Sequence, residues 1–354
     1  MHGRKRSSSL LSLAGVLPRL KDLALYFALA TAVGGAVFAA TGCGGSDSPS
    51  STVQAARLKK QAVAKSHELQ VLKAELQLEK EREAIRKAHA SLAGQDPGEA
   101  PVSQSSLTGF RELEQTLPGE IGVAIGPPGS GPAASTGTLR SGSAWSTSKV
   151  PVVMRVLAEA GGPSGLSSSQ QDEVRRALTL SDNEAALALF GDLERAHRGP
   201  LGAASAVDEV LREAGDESTQ VSSRGRDGFT PFGQTEWPLD QQELFMSRLA
   251  AGCIGSPEST EYVLGLMGEV TSDSWGLGSA GLPARWKGGW GPGTDGRYLA
   301  RQMGVLDVGG KEAVVALAVL PDDGQFATAE SMATSVAKWL AQRAPEFAAP
   351  PGGC

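Results

Sequence analysis

From residue 107 onward, the spacing of apolar positions switches between two and three-to-four. Alternation predicts strands over 121–125, 299–306 and 313–319, with 133–139 as the hairpin partner of the first. Helical spacing predicts segments over 109–117, 150–160, 170–180, 184–195, 203–214, 240–251, 259–270 and 327–343. Strands at both ends with helices between them imply one α/β domain whose sheet joins the two ends of residues 107–354. No internal repeat interrupts that pattern.

The first hundred residues follow other rules. Arg4, Lys5, Arg6, Arg19 and Lys21 precede an uncharged run over 23–46, and 23–42 is mostly apolar. At about 1.5 Å per residue such a helix is long enough to cross a bilayer. The run closes with Ala40-Thr41-Gly42-Cys43-Gly44, which resembles a bacterial lipobox with Cys43 as the lipidated residue. Ala40 stands where Leu is usual, so an uncleaved anchor helix is the alternative. In either case 1–43 is an address, and basic residues staying inside put the rest beyond the cytoplasmic membrane. Residues 44–93 read as a short polar tether and a stalk free of Gly and Pro from Ser50 to Ala93, a helix of about 65 Å if continuous. Leu69, Leu72 and Leu76 follow a 3-4 spacing, but heptads are not sustained. The stalk is thus a semi-rigid spacer or an oligomerising coiled coil. Pro97 and Pro101 mark 94–106 as a linker.

Composition narrows the chemistry. A net charge of −6 argues against nucleic-acid backbone as a partner. The three cysteines form no C-x-x-C pair, and no metal or nucleotide motif is visible, so no cofactor is expected. If Cys43 is lipidated, Cys253 and Cys354 form an even pair in an oxidising compartment; a disulfide between them or two free thiols are both open. The four histidines are His2, His67, His89 and His197, so a histidine triad in the C-terminal half would have to use His197.

Three polar motifs occur in order. Ser146-Thr147-Ser148-Lys149 sits at a loop-to-helix junction, and a helical spacing of three brings the ammonium toward the hydroxyl. A partly buried lysine can then take the proton that keeps serine a poor nucleophile. The spacing is not distinctive, because Ser335-Val336-Ala337-Lys338 repeats it on a terminal helix. Ser181-Asp182-Asn183 lies between two helices and suits either an N-cap or an inward-facing polar triplet. Lys287-Gly288-Gly289-Trp290 precedes a glycine-rich turn; its glycines would let a substrate lie against backbone beside Lys287 as a positive charge.

Together the motifs S-x-x-K, S-D-N and K-x-G resemble the signature of the serine β-lactamases and penicillin-binding proteins. Gly281-Leu282-Pro283-Ala284-Arg285-Trp286 resembles the class A approach to the third motif, and the likeness spans 107–340. It implies a mostly antiparallel sheet flanked by helices plus a helical lobe, with no cofactor. It also implies a β-lactam or peptidoglycan-peptide-like substrate. Ser146 would be acylated, with Lys149 its base or relay. Ser181 would pass the proton to the leaving amine, and Asn183 would hold a substrate amide. Lys287 would tune the field and attract a carboxylate. The N–H groups of Ser146 and Trp290, beside Gly289, would form the oxyanion hole. Arg297 is a candidate carboxylate partner, with Arg301 competing; surface ion pairing is the alternative for both.

Three departures shape the expected function. Gly288 replaces the Thr or Ser hydroxyl of the third motif. The interval from Ser146 to Ser181 is short, which suggests a trimmed helical lobe. The deacylating Glu of an E-x-x-L-N loop is missing, since 221–229 holds no Glu. Glu236 begins an E-x-x-L-D run but lies too far on, where it reads better as a helix signal. The expectation is a membrane-anchored serine hydrolase with poor β-lactam turnover. The alternative is a degenerate surface binding protein.

Overall fold

The computed structural model describes residues 107–354 apart from Asp273. The anchor (1–43, with Cys43), the tether and stalk (44–93) and the linker (94–106) lie outside the described residues. Five antiparallel strands form the main sheet, and their order explains how the two ends of the domain meet. β1 (Gly119–Gly126) pairs with β2 (Ala134–Gly137) on one side and β7 (Lys311–Pro321) on the other. β6 (Tyr298–Val308) and then β5 (Ala284–Pro292) complete the order β2-β1-β7-β6-β5. β5 is therefore an outer strand, with one edge left unpaired in the sheet.

β7 shows why the central strands read as continuous apolar runs. Ala313, Val315, Leu317 and Val319 join one apolar layer, with Phe110 of α1 (Phe110–Thr116) and the inner face of α8 (Phe326–Phe347). Val314, Ala316 and Ala318 face the other layer, built from α2 (Lys149–Ala160), α3 (Ser168–Thr179), α4 (Asn183–Ala196), α5 (Pro200–Glu213), α6 (Leu239–Ala250) and α7 (Pro257–Gly268). A strand covered on both faces gains nothing from a polar alternate residue. Gly122 is fixed by the same closeness, since a Cβ there would meet the Leu139 carbonyl oxygen at 1.8 Å.

The helix ends carry their signals. Ser167 and Gln170 form a reciprocal capping box at the start of α3. A second, two-stranded sheet pairs β3 (Ser141–Ser143) with β4 (Glu236–Pro238) and feeds directly into α6. A disulfide joins Cys253 to Cys354, with Cα atoms 5.3 Å apart, and ties the C-terminal tail back to the turn after α6. Among the described residues no helix is long and apolar enough to cross a membrane.

Candidate active site

Ser146 lies in a short 3-10 turn, Trp145–Ser148, that runs straight into α2. The turn is held from within: Thr147 Oγ1 and Ser148 Oγ donate back to the carbonyls of Ala144 (2.5 Å) and Trp145 (2.6 Å). Trp145 has a left-handed φ of 50°, an uncommon conformation for a bulky residue that persists only where surroundings enforce it. Those surroundings are visible. The Phe229 ring meets the Trp145 indole edge-on at 5.4 Å, and Arg226 lies over both rings. Gly291 lies beneath, where a Cβ would come within 2.5 Å of the indole.

Lys149 and Lys287 are both buried, and they converge on Ser181. Lys149 Nζ donates to the Ser181 carbonyl, to Ser181 Oγ at 3.4 Å and to Asn183 Oδ1 at 2.8 Å. Lys287 Nζ donates to Ser181 Oγ and to the Gly288 carbonyl, both at 2.8 Å. A hydroxyl has two acceptor lone pairs and one proton. With both lone pairs facing lysine N–H donors, the Ser181 proton is the one left to give. Ser181 itself has a φ of 56°. Asp182 between them does what the capping reading expects, accepting from the N–H groups of Glu184 (2.8 Å) and Ala185 (3.1 Å). The Ala185 and Glu184 amides and Arg176 hold its carboxyl below the usual range. The triplet thus caps α4 and furnishes the site at once, because neighbouring residues at a helix entry point in different directions.

β5 presents the third motif by strand alternation. Lys287, Gly289 and Gly291 face Ser181, Ser146 and Trp145 respectively. At Gly289 a Cβ would stand 2.7 Å from the Ser146 nitrogen and 2.9 Å from both the Ala144 oxygen and the Thr147 nitrogen. Those are backbone atoms, which cannot swing aside. Gly289 is therefore the residue that lets β5 close on the Trp145–Ser148 turn. Trp286, Gly288 and Trp290 face the opposite way, so only the main chain of Trp290 is directed to the Ser146 side.

The two arginines part company. Arg297 sits on the surface, paired with Asp295 (2.8 Å) and, at 3.9 Å, Glu120, which matches the surface ion-pair alternative. Arg301 is fully buried and is neither a carboxylate partner nor a surface residue. It pairs across the sheet with Gly289, which puts it beneath the Trp145–Ser148 turn. Its guanidinium donates to the carbonyls of Gly142 (2.7 Å) and Trp237 (3.0 Å) and to Gln242 Oε1 (2.7 Å). Gln242 Nε2 then donates to Thr147 Oγ1 at 2.8 Å, linking sheet, second sheet and the turn that holds Ser146. Burial lowers the Arg301 pKa to about 10, so it stays charged near neutrality.

Glu236 is an exposed strand residue whose carboxylate accepts from Ser141 Oγ at 2.6 Å. The loop between α5 and β4 has one acid past residue 220 and before Glu236, Asp227, and it is exposed. The same loop supplies Arg226, which donates to Gln234 Oε1 (2.9 Å) and the Pro292 carbonyl (2.5 Å), pinning the loop to β5. His197 caps the end of α4 beside Glu159 (2.5 Å). Among the described residues no group of His, Cys, Asp and Glu is arranged to hold a metal ion. Sequence reasoning missed Trp145, Arg226 and Gln242; the one available signal was the Trp that directly precedes Ser146.

No protein-family profile matches the chain, and no curated protein sequence matches it. Solved structures do. An ancestral class A β-lactamase of Gram-negative bacteria is 21% identical, with 68% of this chain and 99% of that one covered at a TM-score of 0.52. A class A β-lactamase from Mycobacterium abscessus is 16% identical over 67% and 98%, TM-score 0.52. A β-lactamase from Streptosporangium roseum is 14% identical over 68% and 98%, TM-score 0.53. The domain over 107–354 has the fold of the class A β-lactamases, an antiparallel sheet flanked by helices, as the three motifs led one to expect.

Proposed function

We propose that this protein is an extracytoplasmic serine acyl-enzyme former, acylated at Ser146 by a β-lactam or wall-peptide-like amide and slow to release the acyl group. The observation that carries the reading is the convergence of Lys149 and Lys287 on Ser181, with Gly289 closed on the Ser146 nitrogen. In the first step Ser146 Oγ attacks the carbonyl carbon while Lys149, as the uncharged amine, takes its proton and becomes the ammonium. The N–H groups of Ser146 and Trp290 receive the oxyanion, and Asn183 holds the substrate amide. The C–N bond then breaks, and the proton passes through Ser181 to the leaving nitrogen. Release needs a base for water; in the loop before β4, Asp216 is buried and taken up by Ser218, Thr219 and Trp237, and the one acid past residue 220, Asp227, is exposed. Hence acylation is supported and rapid turnover is not.

The same reading places the domain outside the cytoplasmic membrane, held by the N-terminal segment through Cys43 lipid or an uncleaved helix, on a stalk that is a spacer or an oligomerising coil. The test is intact-mass spectrometry of full-length protein in detergent with millimolar benzylpenicillin, beside Ser146→Ala. A persistent adduct of the drug's mass, absent from the variant, is expected. Drug loss without an adduct would overturn the slow release. Neither adduct nor drug loss would leave a binding protein of the same fold.

A further inference from the structure

The edge of β5 that a substrate could pair with is shorter than the strand. Along an antiparallel strand the backbone groups of alternate residues point toward the neighbour or away from it. Tyr298, opposite Pro292 in the register, donates its N–H away from β5, to the Gly324 carbonyl at 3.1 Å. Tyr298 and Pro292 are thus a pair whose groups point outward, and the register runs unbroken from Pro292 back to Ala284. Gly288, Trp290 and Pro292 therefore turn their carbonyls to the outer edge.

Side chains already hold two of those three carbonyls. Lys287 Nζ donates to Gly288 at 2.8 Å, and Arg226 Nη2 donates to Pro292 at 2.5 Å. Between them Trp290 presents both an N–H and a carbonyl, whereas Pro292 has no N–H to offer. Arg226 is well seated at its end of the edge. Its Nε donates to Gln234 Oε1 at 2.9 Å, and its guanidinium lies 4.6 Å over the Phe229 ring and 5.7 Å over the Trp145 ring. A planar guanidinium held by stacking and by two acceptors is a fixed donor.

A chain that adds to this edge in the antiparallel sense sets its alternate residues opposite Gly288, Trp290 and Pro292. With the residue under attack opposite Trp290, its carbonyl oxygen meets the Trp290 N–H and its own N–H meets the Trp290 carbonyl. The leaving group then runs toward Lys287 and Ser181, and the acyl chain runs toward Pro292. The residue two before the attacked one would bring its N–H to the Pro292 carbonyl, where Arg226 stands. We propose that Arg226 is a stop at the acyl end of the site, confining the acyl donor to one residue with its N-acyl cap and giving a longer peptide no further hold.

The stop presupposes acylation at Ser146, and the test separates the two. Three benzyl thioesters share glycine as the acyl residue: acetyl-Gly, acetyl-Ala-Ala-Gly and acetyl-(N-methyl-Ala)-Ala-Gly. In each, the Ser146 oxygen–carbon bond forms, the carbon–sulfur bond breaks and the serine proton departs on the thiol. Full-length protein in detergent is offered equimolar pairs, and the adduct ratio is read by intact mass beside Ser146→Ala. Wild type should take the short and long donors within about twofold of each other, with no effect of N-methylation, because the hydrogen bond it would remove is not made. Arg226→Met keeps an unbranched stem against the two rings and removes the donor. In that variant acetyl-Ala-Ala-Gly should win about fivefold, the scale of one hydrogen bond, and lose the advantage on N-methylation. A general slowing caused by a shifted Trp145 cancels in the ratio. A wild-type preference for the long donor that N-methylation abolishes overturns the stop without recourse to the variant. An unchanged ratio in Arg226→Met, or a gain that survives N-methylation, overturns it as well. Labelling of wild-type Ser146 by a fluorophosphonate serine probe but by none of the thioesters overturns the stop alone. No labelling by either overturns the acylation reading and the stop with it.

Discussion

Two stretches of this chain share the pattern S-x-x-K on helical backbone, and their fates differ completely. Ser335 and Lys338 lie on α8, where the serine hydroxyl donates back to the Ser331 carbonyl at 3.0 Å and the lysine is exposed. Ser146 and Lys149 begin a helix; Lys149 is 1% exposed and reaches Ser181 and Asn183. Spacing sets which side chains share a helix face, and nothing more. The chemistry comes from what the rest of the fold brings to that face. At α2 it brings a second buried lysine, a helix entry that turns a hydroxyl inward and a glycine strand; at α8 it brings solvent.

The largest effect separating the copies should come from the lysines. Lys149→Ala is expected to slow acylation about a thousandfold, the scale of a lost proton-transfer group, whereas Lys338→Ala should leave it unchanged. Stopped-flow or intact-mass acylation rates read both. An equal loss in the two variants would dissolve the distinction.

Next comes the strand that the second copy lacks. Gly289→Ala forces a methyl onto the backbone of Ser146 and Thr147, and a displacement of about 1 Å at a nucleophile costs on the order of a hundredfold. Gly288→Ser is the control, because a Cβ there makes ordinary contacts. It should keep acylation within a few-fold and raise reactivity toward carboxylate-bearing substrates.

The network under the turn is expected to matter for stability. Gln242→Leu removes the acceptor of a buried guanidinium and the donor to Thr147, which should cost about 2–3 kcal/mol by urea unfolding. A cost near zero would mean the Arg301 carbonyl contacts suffice.

The smallest effect concerns Glu243, on α6 next to Gln242. It is fully buried, neither carboxylate oxygen has a hydrogen-bond partner, and burial, reinforced by Asp240, raises its pKa well above the ordinary value. A raised folded pKa means the neutral carboxyl's contribution is complete below the unfolded pKa and is lost as pH rises toward the folded one. Glu243→Met should therefore raise the melting temperature more at pH 8 than at pH 4.5. A gain that does not vary with pH would show that folding leaves the carboxyl's pKa where it is in the unfolded chain.

Most of the fold was legible in the sequence because its signals were local. The terminal strands and the eight helices follow from periodicity, with ends displaced by a few residues. β3 and β4 were not legible, being three-residue strands defined by their partners, and β5 was obscured by glycines that are there for closeness. The motif residues were legible through their order. Arg301 was misread because only the register against Gly289 tells whether an arginine on β6 faces solvent or the space beneath the Ser146 turn. Trp145 and Arg226 carry no sequence signal for a left-handed φ or for a loop pinned to β5. Sequence announces residue types and spacings; burial and opposition across elements arise only on folding.

The central claim is that the first copy, and not the second, is a nucleophile. The direct measurement is peptide mapping of full-length protein after exposure to benzylpenicillin, with the adduct localised by tandem mass spectrometry. The account predicts the drug's mass on the peptide holding Ser146 and none on the peptide holding Ser335. An adduct elsewhere, or equal labelling in Ser146→Ala, would contradict it.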